Sequence, residues 1–139
     1  MFYLLKHSVG FAVASILVVE DDEQVRVLVE SFLADEGHHT LSASTAEETI
    51  ALLEGGAKVD LLFVDITLHG DMHAGLTLAQ RVVEVRPDLK VLYTTGRGIT
   101  DGMRALFVQR AAFLPKPFSV DQLKKTLFMN FEMRSPGAN

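Results

Sequence analysis

The chain has 139 residues, the length of a single domain, so a second catalytic or DNA-binding module is not expected within it and its output should pass through a partner. Its 18 Asp and Glu against 13 Lys and Arg give a net charge of -5, which argues against a phosphate backbone as the main ligand. With 48% hydrophobic residues it can bury a core, and having no cysteine it is without disulfides, thiolate zinc sites, iron–sulfur clusters and a cysteine nucleophile, which is compatible with a reducing cytoplasm.

The first residues need separate treatment. Phe2 to Leu5 and Phe11 to Val19 are apolar, and Ala12-Val13-Ala14 resembles a signal-peptidase site. Lys6 and His7 interrupt the run, leaving too little for a secretory core of about 7 to 15 residues or a membrane helix of roughly 20. Residues 1–14 are therefore read as an N-terminal extension, with the domain spanning 15–133 and no membrane partner. Residues 134–139, with Ser135-Pro136-Gly137, are expected to be a disordered tail.

From there the hydrophobic period alternates. Ile16 to Val19 is a short continuous apolar run, the signature of a strand covered on both faces. Val25, Leu28, Val29, Phe32 and Leu33 form the apolar stripe of a helix that Gly37 stops. Thr40 to Ala43 is a weaker strand, and Ser44 with Glu47, or Thr45 with Glu48, offers a capping box for a helix carrying Ala46, Ile50 and Leu53, which Gly55-Gly56 ends. Leu61 to Val64 is a third strand; Gly75 opens a helix through Leu76, Ala79, Val82 and Val83 that Pro87 closes. Val91 to Thr94 is a fourth strand, followed by a loop from Gly96 to Gly102 and a helix over Met103, Leu106 and Phe107. Ala112 to Leu114 is the fifth, and Ser119 with Gln122 caps a last helix on Leu123, Leu127 and Phe131.

Strands alternating with helices demand right-handed crossovers and a parallel sheet between helix layers, an α/β fold. Ligands of such open sheets bind beyond the carboxyl ends of the strands, which selects Glu20, Asp21 and Asp22, then Asp65, then Thr94 and Thr95, then Lys116. Carboxylates brought to about 4 Å repel by roughly 1 kcal/mol in water and about 4 kcal/mol at an effective dielectric of 20, so the cluster calls for a divalent cation. All-oxygen ligands point to Mg2+ or Mn2+, Lys116 supplies a point charge for a phosphoryl group, and a threonine hydroxyl can donate to one of its oxygens. The set looks built around a carboxylate that accepts a phosphoryl group.

Across about residues 15 to 133 the chain resembles the receiver domain of bacterial two-component response regulators. The resemblance rests on Ile16-Leu17-Val18-Val19-Glu20-Asp21-Asp22, Leu62-Phe63-Val64-Asp65, Leu92-Tyr93-Thr94-Thr95-Gly96 and Phe113-Leu114-Pro115-Lys116-Pro117-Phe118. It implies a flavodoxin-like doubly wound fold, (βα)5, with strand order 2-1-3-4-5. It further implies that Asp65 is the phosphoacceptor, with Asp21 and Asp65 on the metal directly, Glu20 through water and the Thr67 carbonyl completing the ligands. Thr95, followed by the small Gly96, matches the switch hydroxyl, Lys116 the phosphoryl contact before a cis proline bond, and Phe113 the aromatic that turns inward on activation. Implied partners are a sensor histidine kinase or phosphotransfer protein and a downstream effector protein, reached through the surface near Phe113 and the last helix. There is no direct nucleic-acid contact, and a homodimer on activation stays open. Such a protein catalyses only its own phosphorylation and dephosphorylation, either as a single-domain regulator or as a receiver within a larger protein.

The residues also admit plainer readings. Asp65 could be a helix cap, Thr95 a turn residue, Lys116 a surface lysine and Phe113 simple core; Asp22 reads as a solvated helix start. Gly96, Gly98 and Gly102 match a dinucleotide fingerprint only loosely and in the wrong place. Where the family commonly has proline, four residues after Asp65, stands His69, and Gly70-Asp71-Met72-His73 reads as a lengthened solvated loop rather than a transition-metal site. A magnesium-dependent phosphatase with an aspartyl nucleophile would want a second aspartate at Thr67. A flavodoxin would want a hydroxyl-rich loop where Glu20-Asp21-Asp22 stands, and a phosphorylation-independent interaction module would tolerate missing site residues.

Overall fold

The computed structural model describes residues 13–133, so the expectations for 1–12 and 134–139 lie outside the described residues. Five strands, β1 (Ser15–Val19), β2 (His39–Ala43), β3 (Leu61–Asp65), β4 (Lys90–Thr95) and β5 (Ala112–Pro115), form one parallel sheet in the order β2-β1-β3-β4-β5. This is the predicted doubly wound arrangement. Five helices connect and follow them: α1 (Glu23–Asp35), α2 (Ala46–Glu54), α3 (Ala74–Val85), α4 (Asp101–Arg104) and α5 (Val120–Phe131).

The pleat sorts the core into two layers, because alternate residues of a strand face opposite sides. Ile16, Val18, Leu61, Phe63, Leu92 and Leu114 meet Val29 and Leu33 of α1 and Leu123, Leu127 and Phe131 of α5. Leu17, Val19, Leu62, Val64, Val91 and Tyr93 meet Leu53 of α2 and Leu76, Ala79 and Val82 of α3. All five β3 residues are buried, as the continuous apolar run requires of a central strand.

Three helix expectations need correction. Leu28 is 70% exposed: at about 100° per residue it lies some 120° from the mean direction of the buried Val29 and Leu33, outside the buried arc. At α2 the N-cap is Thr45, which accepts from the Glu48 N–H, but the Glu48 carboxylate reaches past Thr45's own amide to the N–H and hydroxyl of Ser44 at 3.0 and 2.7 Å. The fourth helix is one turn rather than a helix over Leu106 and Phe107. The Leu106 and Phe107 amides bond three residues back, to Met103 and Arg104. The Phe107 ring stacks on Tyr93 at 4.2 Å and the Tyr93 hydroxyl accepts from the Val108 N–H, so packing against β4 pulls the chain off the helical path. Leu106 is left 46% exposed. The α5 capping box of Ser119 and Gln122 is present as predicted.

Candidate functional site

The sheet ladder continues past the strand ends and thereby aligns the loops. Glu20 N–H donates to the Ala43 carbonyl, Ile66 N–H to Thr94 and Lys116 N–H to Thr95, at 3.2, 2.8 and 2.9 Å. The result is a cleft of about 600 Å3 whose lining includes Glu20, Asp21, Asp65, Thr67, Thr95 and Lys116.

Lys116 is the centre of this cleft. Its Nζ donates to Glu20 Oε1 at 2.6 Å and to Asp65 Oδ2 at 2.7 Å, and the side chains of the three are 21%, 4% and 8% exposed. The Lys116–Pro117 peptide is cis. Asp65 Oδ1 accepts from the Thr67 N–H at 2.9 Å, and Glu20 Oε2 accepts from the Asp22 N–H at 3.2 Å. Asp21 Oδ2 accepts from the His69 N–H at 2.8 Å. Asp22 itself caps α1 through the Gln24 and Val25 amides, so of the three consecutive acids it serves the helix.

The two threonines separate by their partners. The buried Thr94 hydroxyl donates to the Leu114 carbonyl at 2.7 Å, tying β4 to β5, whereas the Thr95 hydroxyl lies in the cleft and accepts from the Arg97 N–H at 3.2 Å. Phe113 is away from the cleft, half-buried beside Phe107 at 6.2 Å with the Arg104 guanidinium 5.9 Å above its ring.

Burial governs the charges. Desolvation pushes the Glu20 carboxyl above its ordinary range, helped by the neighbouring Asp65 charge, although Lys116 and the Asp22 N–H pull the other way. Desolvation opposes the Lys116 ammonium, yet its bonds to Asp65 and Glu20 prevail and hold it above the usual lysine value. Burial would raise Asp21, but the His69 N–H and other hydrogen bonds outweigh it and leave its carboxyl lowered. One oxygen from each of Glu20, Asp21 and Asp65 lies within 4.8 Å of the others, and among the described residues no other group of three or more potential ligands is so placed. Three hard carboxylates with one ammonium leave an excess of negative charge, a donor set that fits Mg2+ or Mn2+. His69, Asp71 and His73 do not gather into a comparable group, so the loop offers no transition-metal site among the described residues.

Two positioning features were not read from the sequence. The Gly75 N–H donates to the Ile66 carbonyl at 2.8 Å, and a Cβ there would stand 2.2 Å from the Asp65 carbonyl oxygen, so only glycine lets α3 close on the end of β3. Between β3 and this glycine lies a tight turn, with Leu68 and Asp71 bonded to each other and His69 and Gly70 at φ 50 and 80. Arg86 donates to the carbonyls of Leu53 and Ala57 at 2.9 and 2.8 Å, fastening the end of α2 beneath the sheet. A positive-φ histidine and a long-range arginine bond leave no local pattern to find.

The response regulator receiver domain family matches residues 16–128, and the chain belongs to it. Among curated relatives, the nitrogen assimilation regulatory protein NtrX of Azorhizobium caulinodans is 32% identical over 78% of this chain and 24% of its own length. The transcriptional regulatory protein AruR of Pseudomonas aeruginosa is 38% identical over 61% of this chain and 35% of its own. The chain thus spans about a quarter to a third of the length of these two relatives. Among solved structures, a receiver protein from Sinorhizobium medicae superposes with a TM-score of 0.76 at 24% identity, over 86% of this chain and 95% of that one, which speaks for the fold alone. NtrX from Brucella abortus gives 0.75 at 32% identity, over 86% and 27%.

Proposed function

We propose that residues 15–133 are a phosphoacceptor receiver in a two-component phosphorelay, in which Asp65 takes a phosphoryl group from a phosphohistidine on a sensor histidine kinase or phosphotransfer protein. The observation that carries this is the Lys116 ammonium bridging Glu20 and Asp65 at the lip of the sheet, with Asp21 alongside. An Asp65 carboxylate oxygen attacks phosphorus, the phosphorus–nitrogen bond breaks and the donor imidazole leaves. Thr67 N–H holds one Asp65 oxygen, so the carboxylate is oriented before the donor arrives. Lys116 then turns from carboxylate to phosphoryl oxygens and offsets their charge, and the Thr95 hydroxyl donates to another of them. Asp21, Asp65 and the Thr67 carbonyl are the groups to hold Mg2+ or Mn2+ directly, with Glu20 acting through water. The cation, when bound, neutralises charge on the transferring phosphoryl group.

The movement of Thr95 toward the phosphoryl group opens space for Phe113, and the face formed by Phe113 and α5 carries the signal to an effector protein, with a homodimer as one form the active state can take. The chain acts in the cytoplasm and turns over only its own phosphate. The phosphatase reading lacks its second carboxylate, since the residue two after Asp65 is Thr67. Incubation with acetyl phosphate and Mg2+ followed by intact mass should add one phosphoryl group to the wild type and none to Asp65→Asn or to wild type in excess chelator. No addition to the wild type, or equal labelling of Asp65→Asn, would end this reading.

A further inference from the structure

Asp21 follows β1 in a bend and precedes the capping residue Asp22, so neither strand nor helix fixes its carboxylate. What it meets is the backbone of a loop 48 residues away: the His69 N–H, 2.8 Å from Asp21 Oδ2. That N–H points at Asp21 because His69 sits at φ 50, a left-handed conformation closed to proline, which has no N–H to offer in any case. The mutual Leu68–Asp71 bonds set that backbone within the loop, and a contact from outside braces it. His69 Nε2 lies 2.7 Å from the Ser44 carbonyl, and since a carbonyl only accepts, Nε2 carries the proton and donates. Ser44 is in turn gripped through its N–H and hydroxyl by the Glu48 carboxylate of α2. The chain of contacts therefore runs from α2 through Ser44 and the His69 ring to the His69 amide and the Asp21 carboxylate. The ring is 58% exposed and its Nδ1 lies 3.9 Å from Asp21 Oδ2, so polar contacts to Ser44 and Asp21 rather than packing place it.

We infer that His69 is a positioning residue for the divalent-cation site: its ring, anchored on the Ser44 carbonyl, aims its own backbone N–H at Asp21 and holds that carboxylate turned into the cleft. This rests on the reading of Asp21 as a direct ligand. The hydrogen bond orients the ligand, as donors behind metal-binding side chains generally do, where their loss weakens binding by about 10- to 100-fold.

Mn2+ binding to the full chain, followed by the electron paramagnetic resonance signal of the free ion, tests it without any phosphorylation step. His69→Pro, which removes the N–H, should weaken Mn2+ binding by at least about 10-fold. His69→Gly keeps both the N–H and the left-handed backbone but cuts the tie to Ser44, and should weaken binding by about 3- to 10-fold with an unchanged melting temperature in the absence of metal. His69→Gln places an amide donor at the distance of Nε2 and should restore affinity to within about 2-fold of wild type. Wild-type-like affinity in His69→Gly, or a His69→Gln as weak as His69→Gly, overturns the inference. Absence of Mn2+ binding to the wild type, or full binding by Asp21→Asn, instead overturns the underlying ligand reading.

Discussion

Replacing Lys116 by methionine removes one charge and keeps most of the side-chain length, so it isolates what the ammonium does. In the wild type that ammonium is shared at 2.6 and 2.7 Å between two carboxylates that are nearly inaccessible to water. Stripping one partner from a buried ion pair typically costs about 3–5 kcal/mol, because the remaining charge stays desolvated and unpaired. Lys116 keeps about a fifth of its surface in water, and Glu20, already raised by desolvation, can escape the penalty by taking up a proton, so the lower end, about 3 kcal/mol, is the expectation. For a domain of this size that lowers the melting temperature by roughly 10 °C. Two conditions should repair the variant. Mg2+ replaces the lost positive charge and should raise the melting temperature of Lys116→Met by more than it raises the wild type's. Acidification should help as well: the Glu20 carboxyl, raised above its unfolded value, binds a proton preferentially in the folded state, so stability climbs as pH falls through its raised folded pKa toward the ordinary carboxyl range. Thermal unfolding by circular dichroism, with and without Mg2+ at each pH, reads all three effects. A metal-free melting temperature equal to wild type, or equal Mg2+ increments in the two proteins, would refute the view that Lys116 holds together a repelling cluster.

Gly75→Ala should destabilise although alanine normally favours a helix by about 1 kcal/mol, because the new Cβ meets the Asp65 carbonyl oxygen; the clash should cost about 3 kcal/mol, seen in urea unfolding, and slow phosphorylation by acetyl phosphate. His38 is buried, accepts the Ala14 N–H on Nδ1 at 3.1 Å, and is held below its ordinary value mainly by desolvation. Its folded pKa is depressed, so the unfolded chain binds the proton first and stability should fall as pH drops below about 6.5, a slope that His38→Phe removes if pH-dependent unfolding is compared between the two. Arg86→Ala frees the carbonyls of Leu53 and Ala57 and should cost about 1–3 kcal/mol, with faster amide exchange at the α2–β3 connection.

The strands were legible because four of them are continuous apolar runs, and the topology follows once those runs alternate with helical stripes. The acidic positions after β1 and at the end of β3 and the lysine after β5 were found by the same logic, since a parallel sheet puts the carboxyl ends of its strands on one edge. What escaped was whatever depends on contacts between distant segments. The helix over Leu106 and Phe107 has the right periodicity, but stacking on Tyr93 ends it after one turn. Leu28 fits the helical spacing and still faces solvent, because spacing constrains the stripe without fixing which edge of it meets the sheet. His69 registered in the sequence only as a missing proline, and its function as a backbone donor to Asp21 depends on a positive φ and on the Ser44 carbonyl. Gly75 registered only as the opening of a helix, and its close approach to Asp65 needs the inserted turn to be seen.

The carboxylate at the end of β3 is the proposed phosphoryl acceptor. Phosphorylated protein, treated with borohydride to reduce the acyl phosphate to the alcohol and then digested, reports the modified residue by peptide mass. Homoserine is expected at position 65 and nowhere else. Reduction at Glu20 or Asp21, or an unmodified peptide at Asp65 alongside a phosphorylated intact protein, would contradict it.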